Sequence, residues 1–246
     1  MRGFMDVPRS EGPFPVIILA HGWVDPALYK TTAYSSRYAA ALAEAGYIAI
    51  HPDLRGYAAS PDAPNLLGIG DAIDVLNLAA LVRDQAGIAG PLLKADAQQI
   101  GLWGHSMGGA VVLRVLIADP LIKAALLYAP INADETINLQ HFTGEDGRGN
   151  TPPSIPPDAL IKLSPASEIE KITAPLSIHH GEDDLVVPIV WSRNLCERLE
   201  QLNKSMECFF YPKQPHTFKN SGDTLFIQRM TEFFDIYLKD ISETKP

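Results

Sequence analysis

The sequence Gly104-His105-Ser106-Met107-Gly108 decides how this chain folds. An apolar run at residues 99–103 precedes it, and a second apolar run covers residues 110–118. The first run predicts a buried strand and the second a helix, so the five residues form a sharp turn between them. The two glycines permit such a turn, because side chains at those places would collide. Ser106 then lies at a helix N-terminus, where free N–H groups and the helix dipole favour a developing negative charge.

The composition describes an ordinary globular protein. The chain has 246 residues, of which 46% are hydrophobic and 20% are charged, and this fits one sizeable domain. The net charge is −9, and the basic residues form no cluster. Nucleic acid and an anionic membrane surface are therefore not expected as partners. The expected partner is a small-molecule substrate. The sequence does not fix the oligomeric state.

The two cysteines and the chain's N-terminus bear on the compartment. Cys196 and Cys208 fit neither a metal-ligand spacing nor a disulfide framework. A single bridge is compatible with this count, but two free thiols are the simpler expectation. No signal-peptide pattern and no run of membrane-spanning length is visible. These features together predict a cytoplasmic protein.

The rest of the chain alternates between short apolar runs and segments of helical periodicity. Strands are predicted at residues 2–7, 16–20, 47–50, 99–103, 122–128, 176–180 and 206–211, and helices at 35–45, 70–86, 107–118, 188–202 and 223–239. Alternation of this kind predicts an α/β fold, with a mostly parallel central sheet and helices on both faces. Residues 131–168 break the rhythm, because they hold prolines, glycines and carboxylates with weak helical signals. We interpret them as a lid insertion within a single domain, 1–246.

A serine nucleophile needs a base that takes its proton and a carboxylate that orients the base. In open α/β sheets the ligand lies at the carboxyl ends of the strands. His216 follows the last predicted strand and is the candidate base. Asp183 and Asp184 both follow the strand at 176–180, and their positions alone leave the choice of the acid open. His179 and His180 precede these carboxylates on a buried strand and are predicted to be structural.

An oxyanion hole needs two backbone amides beside the nucleophile. Met107 follows the serine, and Trp23 follows the first buried strand and His21-Gly22, so their amides are the candidates. The ring of Trp23 either caps the core or lines an acyl pocket. Trp23, Tyr128 and Phe142 are the candidate substrate contacts. His105 is expected to pack or to orient the site and not to act as a base.

Other polar residues receive structural interpretations. His51, Asp53 and Arg55 are expected to form a local ion pair that braces a loop. The histidines fit no metal-ligand spacing, and no glycine-rich dinucleotide fingerprint follows the first buried strand. Neither a metal nor another cofactor is expected.

Several motifs, in order, resemble those of a known family. Residues 15–22 are similar to a first core strand and oxyanion loop, and residues 53–60 resemble a D-x-R-G-x-G-x-S loop with Ala58 at its second glycine. Residues 180–188 are similar to H-G-x-x-D-x-x-V-P. The chain thus resembles the α/β-hydrolases, specifically the catalytic domain of the prolyl oligopeptidase (S9-like) group and the dienelactone-hydrolase-type esterases. The resemblance implies that Asp184 is the acid and that Ser106, Asp184 and His216 form a catalytic triad.

These observations predict a serine hydrolase that cleaves carboxylic esters of short to medium acyl chain. The alternative is a peptidase of the prolyl oligopeptidase type that acts on short or acylated peptides. A binding protein that keeps the fold without catalysis is the third possibility. The few apolar residues expected near the site, and the polar character of the insertion, favour a compact pocket over a long acyl tunnel.

Overall fold

One sheet of seven strands forms the centre of the computed structural model, which describes residues 1–143 and 154–239. The strands are β1 (Arg2–Asp6), β2 (Phe14–Ala20), β3 (Ile48–Asp53), β4 (Ala95–His105), β5 (Ala124–Tyr128), β6 (Leu176–Gly181) and β7 (Met206–Tyr211). Their order across the sheet is β1-β3-β2-β4-β5-β6-β7. Strand β1 is antiparallel to β3, and every other neighbouring pair is parallel. The carboxyl ends of six strands therefore lie at one edge of the sheet.

Helices cover both faces of this sheet. They are α1 (Ser36–Glu44), α2 (Ile69–Gln85), α3 (Met107–Ala118), α4 (Glu135–Thr143), α5 (Pro157–Leu163), α6 (Ile189–Gln201) and α7 (Asn220–Leu238), with 3₁₀ turns at Leu66–Gly68, Pro165–Ser167 and Ile169–Lys171. No helix within the described ranges is long and apolar enough to cross a membrane.

Strand β2 shows why the sequence has continuous apolar runs. Alternate side chains of a strand point to opposite faces of the sheet. Val16 and Ile18 belong to the core under α2, α3 and α6, whereas Ile17 and Leu19 belong to the core under α1 and α7. Because both faces are buried, both sets of positions must be apolar.

The predicted fold class is confirmed: an α/β protein with a mostly parallel sheet and helices on both faces. Each predicted strand and helix is present, and the differences lie at the ends. The predicted strand at 99–103 extends to Ala95–His105, and the last helix begins at Asn220. End positions depend on tertiary packing, which periodicity does not record.

The insertion at residues 131–168 has more regular structure than its weak helical signals predict. It contains α4 and α5, while residues 144–153 lie outside the described part. Its carboxylates are also not all solvated, because Glu135 is buried and forms an ion pair with Arg114 of α3. The sequence pattern around α4 did not predict the helix, because the pattern does not include its buried partner, Arg114, on another element. The role of the insertion as a lid stays a prediction.

The expectation of two free thiols is wrong. Cys196 of α6 and Cys208 of β7 are joined in a disulfide, with their Cα atoms 6.6 Å apart. The pairing arises because α6 packs directly on β7, which a spacing of two isolated cysteines does not reveal. The argument from free thiols therefore no longer supports a cytoplasmic location.

Candidate active site

Ser106 lies on the turn between β4 and α3, near the middle of the sheet. Its φ is +54°, in the region that favours glycine. A Cβ on Gly104 would collide with the carbonyl oxygen of Gly108, and a Cβ on Gly108 with that of Ala20. The turn therefore has the strained geometry that the sequence predicts, and both glycines are needed for it.

Asp184 follows β6, and its carboxylate is surrounded by hydrogen-bond donors. Oδ2 accepts from Nδ1 of His216 at 2.7 Å and lies 3.1 Å from Nε2 of His180. Oδ1 accepts from the amides of Val186 and Val187 at 2.8 and 2.9 Å. Burial alone would raise the pKa of Asp184, but the bonds from His180, His216 and Val187 hold that pKa well below its usual value. The carboxylate is therefore ionised at neutral pH.

The contact with Asp184 fixes the tautomer of His216. An ionised carboxylate only accepts hydrogen bonds, so Nδ1 of His216 carries the proton. In the neutral ring the lone pair then lies on Nε2, which is the state that a general base requires. The side chain of Asp183 is exposed, and its backbone amide bonds to the carbonyl of Gln214. The structure thus brings Asp184, and not Asp183, to the histidine.

Ser106 and His216 line one cavity of about 260 Å³, hereafter the cleft. Trp23, Met107 and Phe142 line it too, as do Ile131, Thr143 and Val186. Trp23 is 43% exposed, so of the two interpretations of its ring, the structure supports a place in the pocket wall over a cap on the core. The residues whose amides are the oxyanion candidates, Trp23 and Met107, therefore lie beside the serine.

Tyr128 does not line the cleft, and its assignment as a substrate contact is wrong. The side chain is fully buried in the core under α1 and α7. Its hydroxyl accepts a hydrogen bond from the amide of Phe218, two residues after His216. Tyr128 is the last residue of β5, but its side chain points into the core and not into the cleft. The sequence pattern does not show which of the two a residue at a strand end faces.

His105 joins two loops of the site. The amide of Gly22 donates to the hydroxyl of Tyr34, which lies 3.3 Å from Nδ1 of His105. Nε2 of His105 lies 3.1 Å from the backbone carbonyl of His216. A carbonyl only accepts, so Nε2 carries the proton and Nδ1 accepts from Tyr34. Burial lowers the pKa of His105 to about 3. With so low a pKa, and with both ring nitrogens already hydrogen-bonded, His105 is a poor candidate for a base.

His180 is a site residue that sequence reasoning missed, because it was assigned only a structural part. Nε2 of His180 faces two acceptors, the Asp184 carboxylate at 3.1 Å and the carbonyl of Val187 at 3.0 Å. Nε2 therefore carries the proton, and Nδ1 accepts from the hydroxyl of Ser192 at 2.7 Å. The spacing of His180 and Asp184 within one motif was the available signal. His179 points to the other face, where it contacts Ser177 and Tyr211, as predicted for a structural residue.

The predicted ion pair among His51, Asp53 and Arg55 does not form. His51 contacts Ser35 and Asp6. Asp53 accepts from the hydroxyls of Tyr29 and Thr31. Arg55 pairs with Asp74 of α2 at 2.8 Å. His51 and Asp53 lie on β3 and Arg55 follows it, but each side chain has its partners elsewhere in the chain, which closeness in sequence could not show.

Within residues 1–143 and 154–239, no group of three or more histidine, cysteine or acidic side chains is arranged to hold a metal ion.

The sheet is mostly parallel, a serine lies on a strained strand-to-helix turn, and a paired histidine and carboxylate follow later strands. This combination defines an α/β-hydrolase. Residues 1–237 match the profile of the Dienelactone hydrolase family, and the chain belongs to that family.

Characterised and uncharacterised relatives are similar to parts of the chain. The chain is 27% identical over 150 residues to Uncharacterized peptidase YtmA of Bacillus subtilis, a match that covers 58% of this chain and 56% of that one. It is 25% identical over 217 residues to the Probable 2-oxo-3-(5-oxofuran-2-ylidene)propanoate lactonase of Bradyrhizobium. That match covers 86% of this chain and 76% of the lactonase. The match therefore spans little more than half the length of the Bacillus peptidase.

Solved structures share the fold. A puromycin-hydrolyzing peptidase of Mycobacterium tuberculosis superposes with a TM-score of 0.77 at 20% identity, over 94% of this chain and 35% of that one. Est1E of Butyrivibrio proteoclasticus with ferulic acid bound superposes with a TM-score of 0.72 at 19% identity, over 96% and 95%. At such identities the likeness is one of fold.

Proposed function

We propose that this protein is a serine hydrolase that cleaves carboxylic esters of short to medium acyl chain. The observation that carries the proposal is the cleft, where Ser106 and His216 share one cavity and an ionised carboxylate holds the histidine from behind. A serine at a helix N-terminus beside such a histidine is the arrangement that nucleophilic catalysis needs.

In the proposed mechanism, Oγ of Ser106 attacks the ester carbonyl while Nε2 of His216 takes the hydroxyl proton. The amides of Trp23 and Met107 stabilise the oxyanion, and Asp184 stabilises the imidazolium. Collapse of the tetrahedral intermediate breaks the ester bond, and His216 returns the proton to the leaving alcohol. Water then attacks the acyl-enzyme by the same route, which releases the acid and restores Ser106. No cofactor takes part.

The relatives support two substrate classes. Est1E with ferulic acid bound and the Bradyrhizobium lactonase support an ester or lactone substrate. The Bacillus and mycobacterial peptidases support the alternative, a peptidase that acts on short or acylated peptides. A p-nitrophenyl ester and a p-nitroanilide with the same acyl group separate the two. Because esters are intrinsically more reactive than amides, turnover of the anilide is the discriminating result. We expect no anilide turnover above that of Ser106→Ala, and anilide turnover that depends on Ser106 would favour the peptidase.

The experiment that tests the mechanism is Ser106→Ala. We expect this substitution to lower kcat for p-nitrophenyl butyrate by about 10⁴-fold or more while the fold survives. A fluorophosphonate probe should label the wild type and not the variant. Retention of a tenth of the activity would contradict the assignment, and a wild type that neither reacts with the probe nor hydrolyses esters would point to a non-catalytic binding protein.

A further inference from the structure

A second cavity, of about 430 Å³, opens from the cleft. It shares five wall residues with the cleft, Trp23, Met107, Ile131, Phe142 and Thr143. Its other walls include apolar residues, Leu67 of the 3₁₀ turn, Ala110 and Val111 of α3 and Leu139 of α4, and the polar residues Tyr57, Asn65, Glu135 and Asn138. We name this cavity the α3–α4 slot. Its size lies within the range of small-molecule sites, whereas the cleft alone falls below that range.

Three polar side chains that line the slot, those of Asn65, Asn138 and Glu135, are already engaged. Both side-chain polar atoms of Asn65 bond to Asp71. The side chain of Asn138 bonds to the backbone of Asn132 and to Glu135. Glu135 is itself neutralised by its ion pair with Arg114.

No lysine or arginine is among the described residues that line the slot. An anionic group in the slot would therefore lose water without gaining a cationic partner from these described residues, which is costly in a buried site. An apolar group would instead gain contacts with Leu67, Val111, Leu139 and Phe142.

The position of the slot decides which half of an ester it receives. The general acid must reach the leaving-group oxygen, so the alcohol half lies toward His216. His216 and Val186 line the cleft, and neither lines the slot. Since the slot shares Trp23 and Met107 with the cleft but is not lined by His216, we place it on the side to which the remaining substituent of the carbonyl carbon points.

We propose that the α3–α4 slot binds the acyl group of the substrate, and that this acyl group is uncharged, apolar and longer than acetyl. The proposal rests on ester hydrolysis at Ser106. Each methylene group buried in the slot should raise kcat/KM about fourfold until the slot is full. A carboxylate at the end of the acyl chain should lower kcat/KM by about 100-fold relative to the neutral chain of the same length.

Leu139 allows a test in both directions, because it is half-buried on α4 and does not line the cleft. With p-nitrophenyl esters from acetate to decanoate, Leu139→Trp should fill the slot and lower the octanoate-to-acetate ratio of kcat/KM by at least about tenfold. Leu139→Ala should move the optimum to a longer chain. Gln140→Trp is the matched control, since Gln140 is the exposed neighbour on the same helix, and its ratio should equal that of the wild type.

Two further comparisons make the outcomes distinct. A series of acetates with different alcohols should show the same selectivity in both Leu139 variants as in the wild type. If Leu139→Trp changes alcohol selectivity and not acyl selectivity, the slot holds the leaving group and the proposal is wrong. The glutaryl ester should react far more slowly than the pentanoyl ester, and a faster glutaryl ester would overturn the assignment of an uncharged acyl group.

Failure of the slot proposal and failure of the proposed function would give different results with the same esters. If the wild type hydrolyses acetate and Ser106→Ala does not, while all Leu139 variants keep the wild-type chain-length profile, only the slot proposal is wrong. If the wild type hydrolyses no ester of the series, both proposals are wrong.

Discussion

At the residue scale, His105 connects the two loops on which the proposed chemistry depends. Through Tyr34 it reaches Gly22, next to the candidate oxyanion amide, and through its own Nε2 it holds the backbone of His216. Its side chain is buried and both ring nitrogens are hydrogen-bonded, so we expect it to position these loops and not to transfer a proton.

We expect His105→Phe to lower kcat by about fivefold with little change in KM, because loss of the hydrogen bond to the His216 carbonyl costs about 1 kcal/mol and frees the loop of the proposed base. His105→Gln keeps an N–H donor near the Nε2 position and should recover part of kcat. Steady-state kinetics with p-nitrophenyl butyrate, alongside thermal unfolding, measure this. Equal kcat in His105→Phe and His105→Gln would show that the hydrogen bond to His216 has no part in positioning.

The candidate site residues differ in how well a sequence can reveal them. Ser106, Asp184 and His216 carry local signals, namely a glycine-framed turn and motifs at strand ends. His180 and Tyr34 matter through contacts to residues that other elements bring close. The misassigned Tyr128 shows the same limit, because the end of a strand can face the core or the cleft, and only packing decides which.

At the element scale, an ion pair attaches the insertion to α3, the helix that follows Ser106. Arg114 of α3 binds Glu135 at the start of α4, and it also donates to the carbonyls of Leu163 and Leu67 at 2.6 and 2.9 Å. The side chains of Arg114 and Glu135 are 10% and 5% exposed. A buried pair of this kind contributes little over an apolar pair, but either charge alone is costly.

Arg114→Leu should therefore lower the free energy of unfolding by about 3–5 kcal/mol, since it leaves the Glu135 carboxylate buried without its partner. The double variant Arg114→Leu/Glu135→Leu should be less destabilised than the sum of the two single variants by more than about 1 kcal/mol. Urea unfolding of the four proteins completes the cycle. Additive effects would mean that the two side chains do not interact.

At the scale of the whole molecule, one buried acid makes stability depend on pH. Asp71 of α2 is fully buried, and its Oδ1 has no hydrogen-bond partner in the part of the chain that the structure describes. Burial raises the pKa of Asp71 to about 6, although Asn65 and Arg55 act in the opposite direction. An unfolded aspartate titrates near pH 4.

Between about pH 4 and 6 the unfolded chain has released a proton that the folded protein still holds, so this group's contribution to stability falls as pH rises. Asp71→Asn cannot titrate. We expect the free energy of unfolding of the wild type, relative to Asp71→Asn, to fall by about 2 kcal/mol from pH 4 to 7. Urea titrations at intervals of half a pH unit measure the difference, and a difference that is constant with pH would contradict a raised pKa.

The overall architecture was the most predictable level. Strands such as β2, buried on both faces, leave continuous apolar runs that a sequence reveals directly. The helices of the insertion were less visible, because α4 depends on Arg114, and a local pattern does not include a partner on another element. The disulfide between Cys196 and Cys208 was missed for the same reason.

The ion pair between α3 and α4 also limits how this chain can exchange segments with its relatives. A recombinant that received residues 131–168 from a donor with an apolar residue at position 135 would inherit the Arg114 guanidinium without its counterion. Crossovers between positions 114 and 135 would therefore be selected against unless both partners came from one parent. Helix α3 and the insertion that forms one wall of the slot should therefore descend together, so that the proposed acyl selectivity would be inherited with the helix that follows Ser106.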